Sequence, residues 1–80
     1  MTIGNKDTML GLYPYKDITH REREIMTLLA RGFSYEEIGK ELIISKNTVK
    51  YHVSSLLQKT GFKNATNLIA NAVSQGVIHL

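Results

Sequence analysis

The chain has no cysteine, no acidic residue anywhere after Glu41 and no long apolar run. Without cysteine, neither a disulfide framework nor a thiolate metal site is available, so packing alone must hold the interior, as is ordinary in a reducing cytosol. No stretch approaches the roughly 18 apolar residues that a membrane span needs. The N-terminus also lacks the basic start and apolar run of a secretory signal. The expectation is a soluble, cytoplasmic protein with no membrane partner. Eighty residues allow one domain with one modest core, too small for that core plus an elaborate enclosed active site. Alternating strand patterns, internal repeats and low-complexity tracts are missing as well.

The absence of acid is uneven along the chain. Residues 1–43 hold six Lys or Arg against seven Asp or Glu, a net charge of −1. Residues 44–80 hold Lys46, Lys50, Lys59 and Lys63 with no acid at all, a net charge of +4. This asymmetry suggests a polyanion partner, nucleic acid before membrane, because the lysines are spaced around helix ends instead of forming a basic amphipathic stripe. Taken alone, a solvated lysine face accounts for the charge equally well.

What is present is helix punctuation. Thr19 with Glu22 is a capping box, Ile25, Leu28 and Leu29 continue one apolar face, and Gly32 followed by Phe33 is a glycine stop. Ser34 with Glu37 is a second capping box, opening a short helix through Ile38 and Leu42 that gives way to Ile43 and Ile44. Ser45 caps a third helix, which runs to Thr60 and stops at Gly61. Asn64 opens a fourth, which stops at Gly76 with Val77 behind it. The fold expected is all-α, four helices preceded by an irregular tail over residues 1–17 that includes Tyr13-Pro14-Tyr15, with the domain occupying residues 18–80.

The helix starts differ in charge. A helix N-terminus exposes backbone N–H groups and a partial positive charge, which a carboxylate in the first turn satisfies. Helices one and two have a glutamate at their third position; helix three has Thr48 there and helix four Asn67. Carboxylates are missing where an anion could dock, and a phosphate would supply the charge. On a wheel of about 100° per residue, Val49, Val53, Leu56, Leu57 and Thr60 form the core seam of helix three. Asn47, Tyr51, Ser54 and Gln58 lie opposite, with Lys50 and Ser55 at the edges. None is acidic and most both donate and accept hydrogen bonds, which suits the edges of bases in the major groove. A solvated polar face is the plainer reading, although surface helices usually mix Glu with Lys.

The run ITHREREIMTLLARGFSYEEIGKELIISKNTVKYHVSSLLQKTGFKNATNLI resembles the LuxR-type, or GerE-like, helix-turn-helix domain of bacterial transcription regulators. Several separated motifs recur in order: Thr19 to Glu22, Ser34 to Ile38, Ile44-Ser45, Thr48-Val49-Lys50, His52, and Lys59 with Gly61. The likeness covers residues 18 to about 76. It implies that helices two and three form the DNA-binding pair, that helix three enters the major groove, and that helix four mediates dimerisation. Residue by residue, it implies that Lys50, Tyr51 and Ser54 face bases and that Ser45, Thr48, Lys63 and Asn64 meet phosphates. Lys46 and Asn47 lie close enough for either. Two positions depart from the family's common pattern, Ser54 where many members are basic and Ala65 where many have arginine, so target and affinity are expected to differ. Gly39 stands where alanine is usual. The partners implied are double-stranded DNA, a second copy of the chain and RNA polymerase, at the nucleoid.

Other residues attract blander readings. His20, His52 and His79 are far apart with no i, i+4 pairing, so no metal or other cofactor is expected, and His52 reads as a structural hydrogen-bonder before a phosphate contact. Arg21 and Arg23 near Thr19 and Glu22 read as capping plus a surface ion pair. Ser54-Ser55 has no base partner, because His52 two residues earlier points elsewhere on the wheel, and no catalytic constellation is found. In helix four, Ala65, Leu68, Ile69, Ala72 and Val73 are expected in the core. Asn67, Ala70, Asn71 and Ser74 are left outward, small and uncharged, which suits the close approach of a second copy and equally a weakly solvated face. The function expected is a non-enzymatic, sequence-specific DNA-binding regulator acting as a homodimer. The alternatives are an interaction module that captures another regulator and a sigma-factor-like promoter-recognition domain.

Overall fold

The computed structural model describes residues 14–80; Tyr13, read as part of the tail, lies outside them. Four helices follow one another and no strand occurs among the described residues: α1 (His20–Ala30), α2 (Tyr35–Leu42), α3 (Lys46–Thr60) and α4 (Ala65–Ser74). The described residues are all-α, as the punctuation predicts.

Each helix start is built by the residue expected there. The Glu22 N–H donates to Thr19 Oγ1 at 3.1 Å while the Thr19 N–H donates to Glu22 Oε1 at 2.9 Å. Ser34 and Glu37 repeat this reciprocal pair at 3.1 and 2.8 Å. At the far ends of α1 and α4, Gly32 (φ 93°) and Gly76 (φ 73°) take the left-handed conformation. This lets the Phe33 N–H reach the Leu28 carbonyl and the Val77 N–H the Ala72 carbonyl, satisfying carbonyls the helix itself cannot. The end of α2 has no glycine. Ile43 adopts φ 59°, ψ 49°, a left-handed conformation unfavourable for a β-branched residue.

Two apolar clusters share α1 and α3. Ile25, Leu28, Ile38, Val49 and Val53 join α1, α2 and α3, while Met26, Leu56, Leu68 and Ala72 join α1, α3 and α4. Each fully buried aliphatic side chain contributes about 1.5 to 3 kcal/mol. The second cluster also takes in Val77, Ile78 and Tyr15. Tyr15 falls in the segment read as an irregular tail. The segment is irregular, but this side chain is only 3% exposed and its hydroxyl donates to Asn71 Oδ1 at 2.7 Å. Asn71, expected on the outward face of helix four, is thereby half-buried and engaged.

Polar staples close both ends. Lys59 Nζ donates to both Glu22 carboxylate oxygens at 3.0 and 3.2 Å and to the Asp17 carbonyl at 3.1 Å, tying the end of α3 to the start of α1. Glu22 is 3% exposed. Burial alone would raise its carboxyl pKa. The Thr19 backbone N–H, the Lys59 and Ser55 hydrogen bonds and the Lys59 charge together outweigh burial and hold it below the ordinary glutamate range. Arg23, read as half of a surface ion pair, instead donates from Nη1 to the Val77 carbonyl at 2.6 Å and fixes the chain beyond α4. The surface pair is Arg21 with Glu24, at 3.2 Å.

Candidate nucleic-acid interface

The candidate site is the start and outer face of α3, with α2 packed against that helix and the α3–α4 connection following it. Val49, Val53, Leu56 and Thr60 are buried, so the core seam fixes which face remains outside. On that face Lys46, Asn47, Lys50, Tyr51, Ser54 and Gln58 are all exposed. Tyr51, at 71% exposure, projects a large ring with no hydrophobic reason to be there. Tyr51, Ser54, Ser55, Leu57 and Gln58 line a shallow concavity of about 420 Å³.

The helix start is half a capping box. Ser45 Oγ accepts the Thr48 N–H at 3.0 Å and lies 2.9 Å from the Thr48 hydroxyl, but the first turn contains no carboxylate. The positive end of the α3 dipole therefore has no carboxylate in its own first turn, and Lys46 adds to it. At α4 the Asn64 side-chain oxygen is occupied by the Asn67 N–H at 2.8 Å. This leaves the amide nitrogen of Asn64 as its donor, beside exposed Lys63. The first turn of α4 likewise has no acid.

All four lysines are exposed, but Lys59 pairs with the Glu22 carboxylate at 3.0 Å, so its charge is locally balanced. Ser55, placed at the edge of the outer face, is half-buried and contributes to the lowering of the Glu22 pKa. His52, read as a hydrogen-bonder, packs its ring edge-on to Tyr51 with centroids 5.8 Å apart. On α4, Asn67, Ala70 and Ser74 are exposed and Asn71 is held by Tyr15. Ile43, 89% exposed at the turn before Ser45, was not among the residues the sequence singled out, because nothing in an isoleucine announces a left-handed turn. No helix among the described residues is long and apolar enough to cross a membrane.

A pair of packed helices joined by a tight turn, the second presenting an acid-free polar face, is the arrangement of a helix-turn-helix DNA-binding domain. Residues 16–72 match the family model described as bacterial regulatory proteins, luxR family, and the chain belongs to that family of DNA-binding transcription regulators. It is 32% identical over 74 residues to the oxygen regulatory protein NreC of Staphylococcus aureus strain JH9, covering 92% of this chain and 34% of that protein. The NreC of strain MW2 gives the same figures. The crystal structure of Escherichia coli SdiA matches with a TM-score of 0.78 and 32% identity, over 86% of this chain and 29% of that one. The chain thus corresponds to about a third of the length of these relatives.

Proposed function

We propose that this domain reads the sequence of duplex DNA by laying α3 in the major groove, with Lys50, Tyr51 and Ser54 against base edges. Lys46 and Asn47 serve either bases or the backbone, while Ser45, Thr48, Lys63 and Asn64 meet phosphates. One observation carries the reading: the start of α3 pairs a Ser45 cap and Lys46 with no carboxylate, on a helix whose outer face is polar and acid-free. Phosphates would complete the electrostatics of both helix starts and set the register in which the outer face meets the bases. The face suits mixed donors and acceptors, and it has no acid to repel the backbone.

Two copies related by a two-fold axis would bind a palindromic site, associating through Asn67, Ala70 and Ser74 of α4, with Asn71 contributing only what Tyr15 leaves free. Contact with RNA polymerase falls to faces that α3 and α4 leave open. A salt titration against duplex DNA tests the reading. Binding should weaken with a slope of about −0.9 per phosphate neutralised, and Lys63→Ala should lower affinity for specific and random duplexes alike. Salt-insensitive binding contradicts it.

A further inference from the structure

The outer face of α3 is polar except at one place. Tyr51 carries the largest side chain on it and is 71% exposed. Its ring meets that of half-buried His52 at 68° with centroids 5.8 Å apart, an edge-to-face contact that favours one orientation over free rotation. One helical turn on stands Ser54, and one turn beyond that Gln58, both exposed. A small side chain between two large ones leaves a notch. Tyr51, Ser54 and Gln58, with Ser55 and Leu57, line the open concavity of about 420 Å³ on this face. Leu57 is half-buried and packs against both apolar clusters, so the notch has an aliphatic side chain and an aromatic ring in its walls. No charged side chain lines it.

We propose that this notch selects thymine by its 5-methyl group, the Tyr51 ring and Leu57 covering the methyl above Ser54, with His52 as the positioning residue that holds the ring; this rests on the DNA-reading role above. In the major groove the base pairs present donors, acceptors and one apolar group, which is the thymine methyl. A notch with apolar walls matches that group and no other. Guanine is read chiefly by a bidentate Arg or Lys, and neither lines the notch. The small hydroxymethyl of Ser54 leaves room for the methyl, which a long side chain at that position would fill. The His52 contact matters because ordering an exposed side chain on binding costs free energy, and a ring already restrained loses less. Burying one methyl is worth about a fourfold change in affinity, enough to bias a site toward thymine at one position.

The test removes the methyl from the DNA and the ring from the protein, separately and together. The best duplex from a random selection is compared with copies in which each thymine in turn is replaced by uracil, which pairs identically and lacks only the methyl. The full chain is used as wild type, Tyr51→Ala, Tyr51→Phe, Ser54→Lys, His52→Ala and His52→Phe, each well below its thermal midpoint. For wild type, uracil at one position should weaken binding about fourfold. Tyr51→Ala and Ser54→Lys should bind the thymine and uracil duplexes equally, while Tyr51→Phe, which keeps the ring, should retain the difference. His52→Ala should shrink the difference although Tyr51 is intact, and His52→Phe should restore it, a rescue that a purely structural role would not produce. A wild type that prefers its selected duplex over a scrambled one yet ignores uracil at every position overturns the proposal and leaves the DNA-reading role standing. A Tyr51→Ala protein as sensitive to uracil as wild type overturns it too, as does a Tyr51→Phe protein that has lost the difference or a Ser54→Lys protein that keeps it. An unchanged difference in His52→Ala, or no rescue by His52→Phe, overturns the positioning role. A wild type with no preference between selected and scrambled duplexes removes the DNA-reading role itself.

Discussion

The helix starts of the first half and of the second half share a side-chain oxygen as cap and differ in their third residues. Thr19 and Ser34 each work with a glutamate, and the reciprocal hydrogen bonds at α1 and α2 close the helix end within the chain. Ser45 and Asn64 cap α3 and α4 alone, with no acid in either first turn. A helix that serves only the fold gains from finishing its own electrostatics, worth about 0.5 to 2 kcal/mol for a cap and 0.3 to 1 kcal/mol for a nearby carboxylate. Leaving α3 unfinished forgoes the second of these, which makes sense when an anion from outside completes it. On the proposed reading, the contrast separates residues that hold the domain together from residues that engage a partner, and it can be attacked from both sides.

The largest effect should come from the holding side. Lys59→Ala leaves the Glu22 carboxylate buried without its counter-charge and should destabilise the domain by about 2 to 4 kcal/mol, read as a lowered thermal or urea midpoint. The same pair gives a pH dependence with a definite sign. The Glu22 carboxyl is depressed in the folded state, so its contribution is complete above the ordinary glutamate value of about 4.3 and is lost as pH falls through the lower folded value. Glu22→Gln should therefore flatten the acid limb of a stability curve while lowering its neutral plateau. An acid limb unchanged by that substitution would place the titration elsewhere.

On the engaging side, Tyr51→Ala and Ser54→Ala should leave the thermal midpoint nearly unchanged, since both side chains are exposed. Each should lose about 1 to 3 kcal/mol of preference for the best site over a mismatched one. Val49→Ala is the opposite case. It removes methyl groups from a fully buried position between α2 and α3 and should destabilise the fold by about 1 to 3 kcal/mol. A binding selection from random duplexes that recovers one identical motif for wild type and both exposed variants would dissolve the distinction.

Much of this division is legible in the amino-acid sequence. Capping boxes, glycine stops and the wheel of helix three are local, and local chemistry decides them, so Thr19, Gly32, Gly76 and the outward set from Asn47 to Gln58 fall where their spacing puts them. The misreadings involve partners distant in sequence. Glu22 and Lys59 are 37 positions apart, Tyr15 and Asn71 are 56 apart, and Arg23 and Val77 are 54 apart. A wheel shows which way a side chain points, but not what another segment brings to it. A wheel alone therefore puts Asn71 outward and gives Lys59 no partner, whereas the fold engages both. Ile43 failed for a different reason: its conformation is imposed by the helices on either side, against its own preference.

A smaller effect sharpens the comparison further. Glu37→Thr converts the start of α2 to the pattern of α3 and should cost about 0.5 to 1 kcal/mol of stability, seen in the thermal midpoint, without changing affinity for DNA. A loss of DNA affinity in that variant would mean that the two starts are not distinct in role.

The reverse exchange tests the central claim most directly. Thr48→Glu gives α3 the carboxylate that α1 and α2 possess, and Thr48→Gln supplies the same shape without the charge. Both can complete the box with Ser45, so both should fold with a midpoint at or above wild type. In a salt titration against specific and scrambled duplexes, the glutamate variant should bind at least about tenfold more weakly than the glutamine variant at low salt, with the gap narrowing as salt rises. Equal affinities for the two variants across the salt range would mean that no phosphate sits at the start of α3.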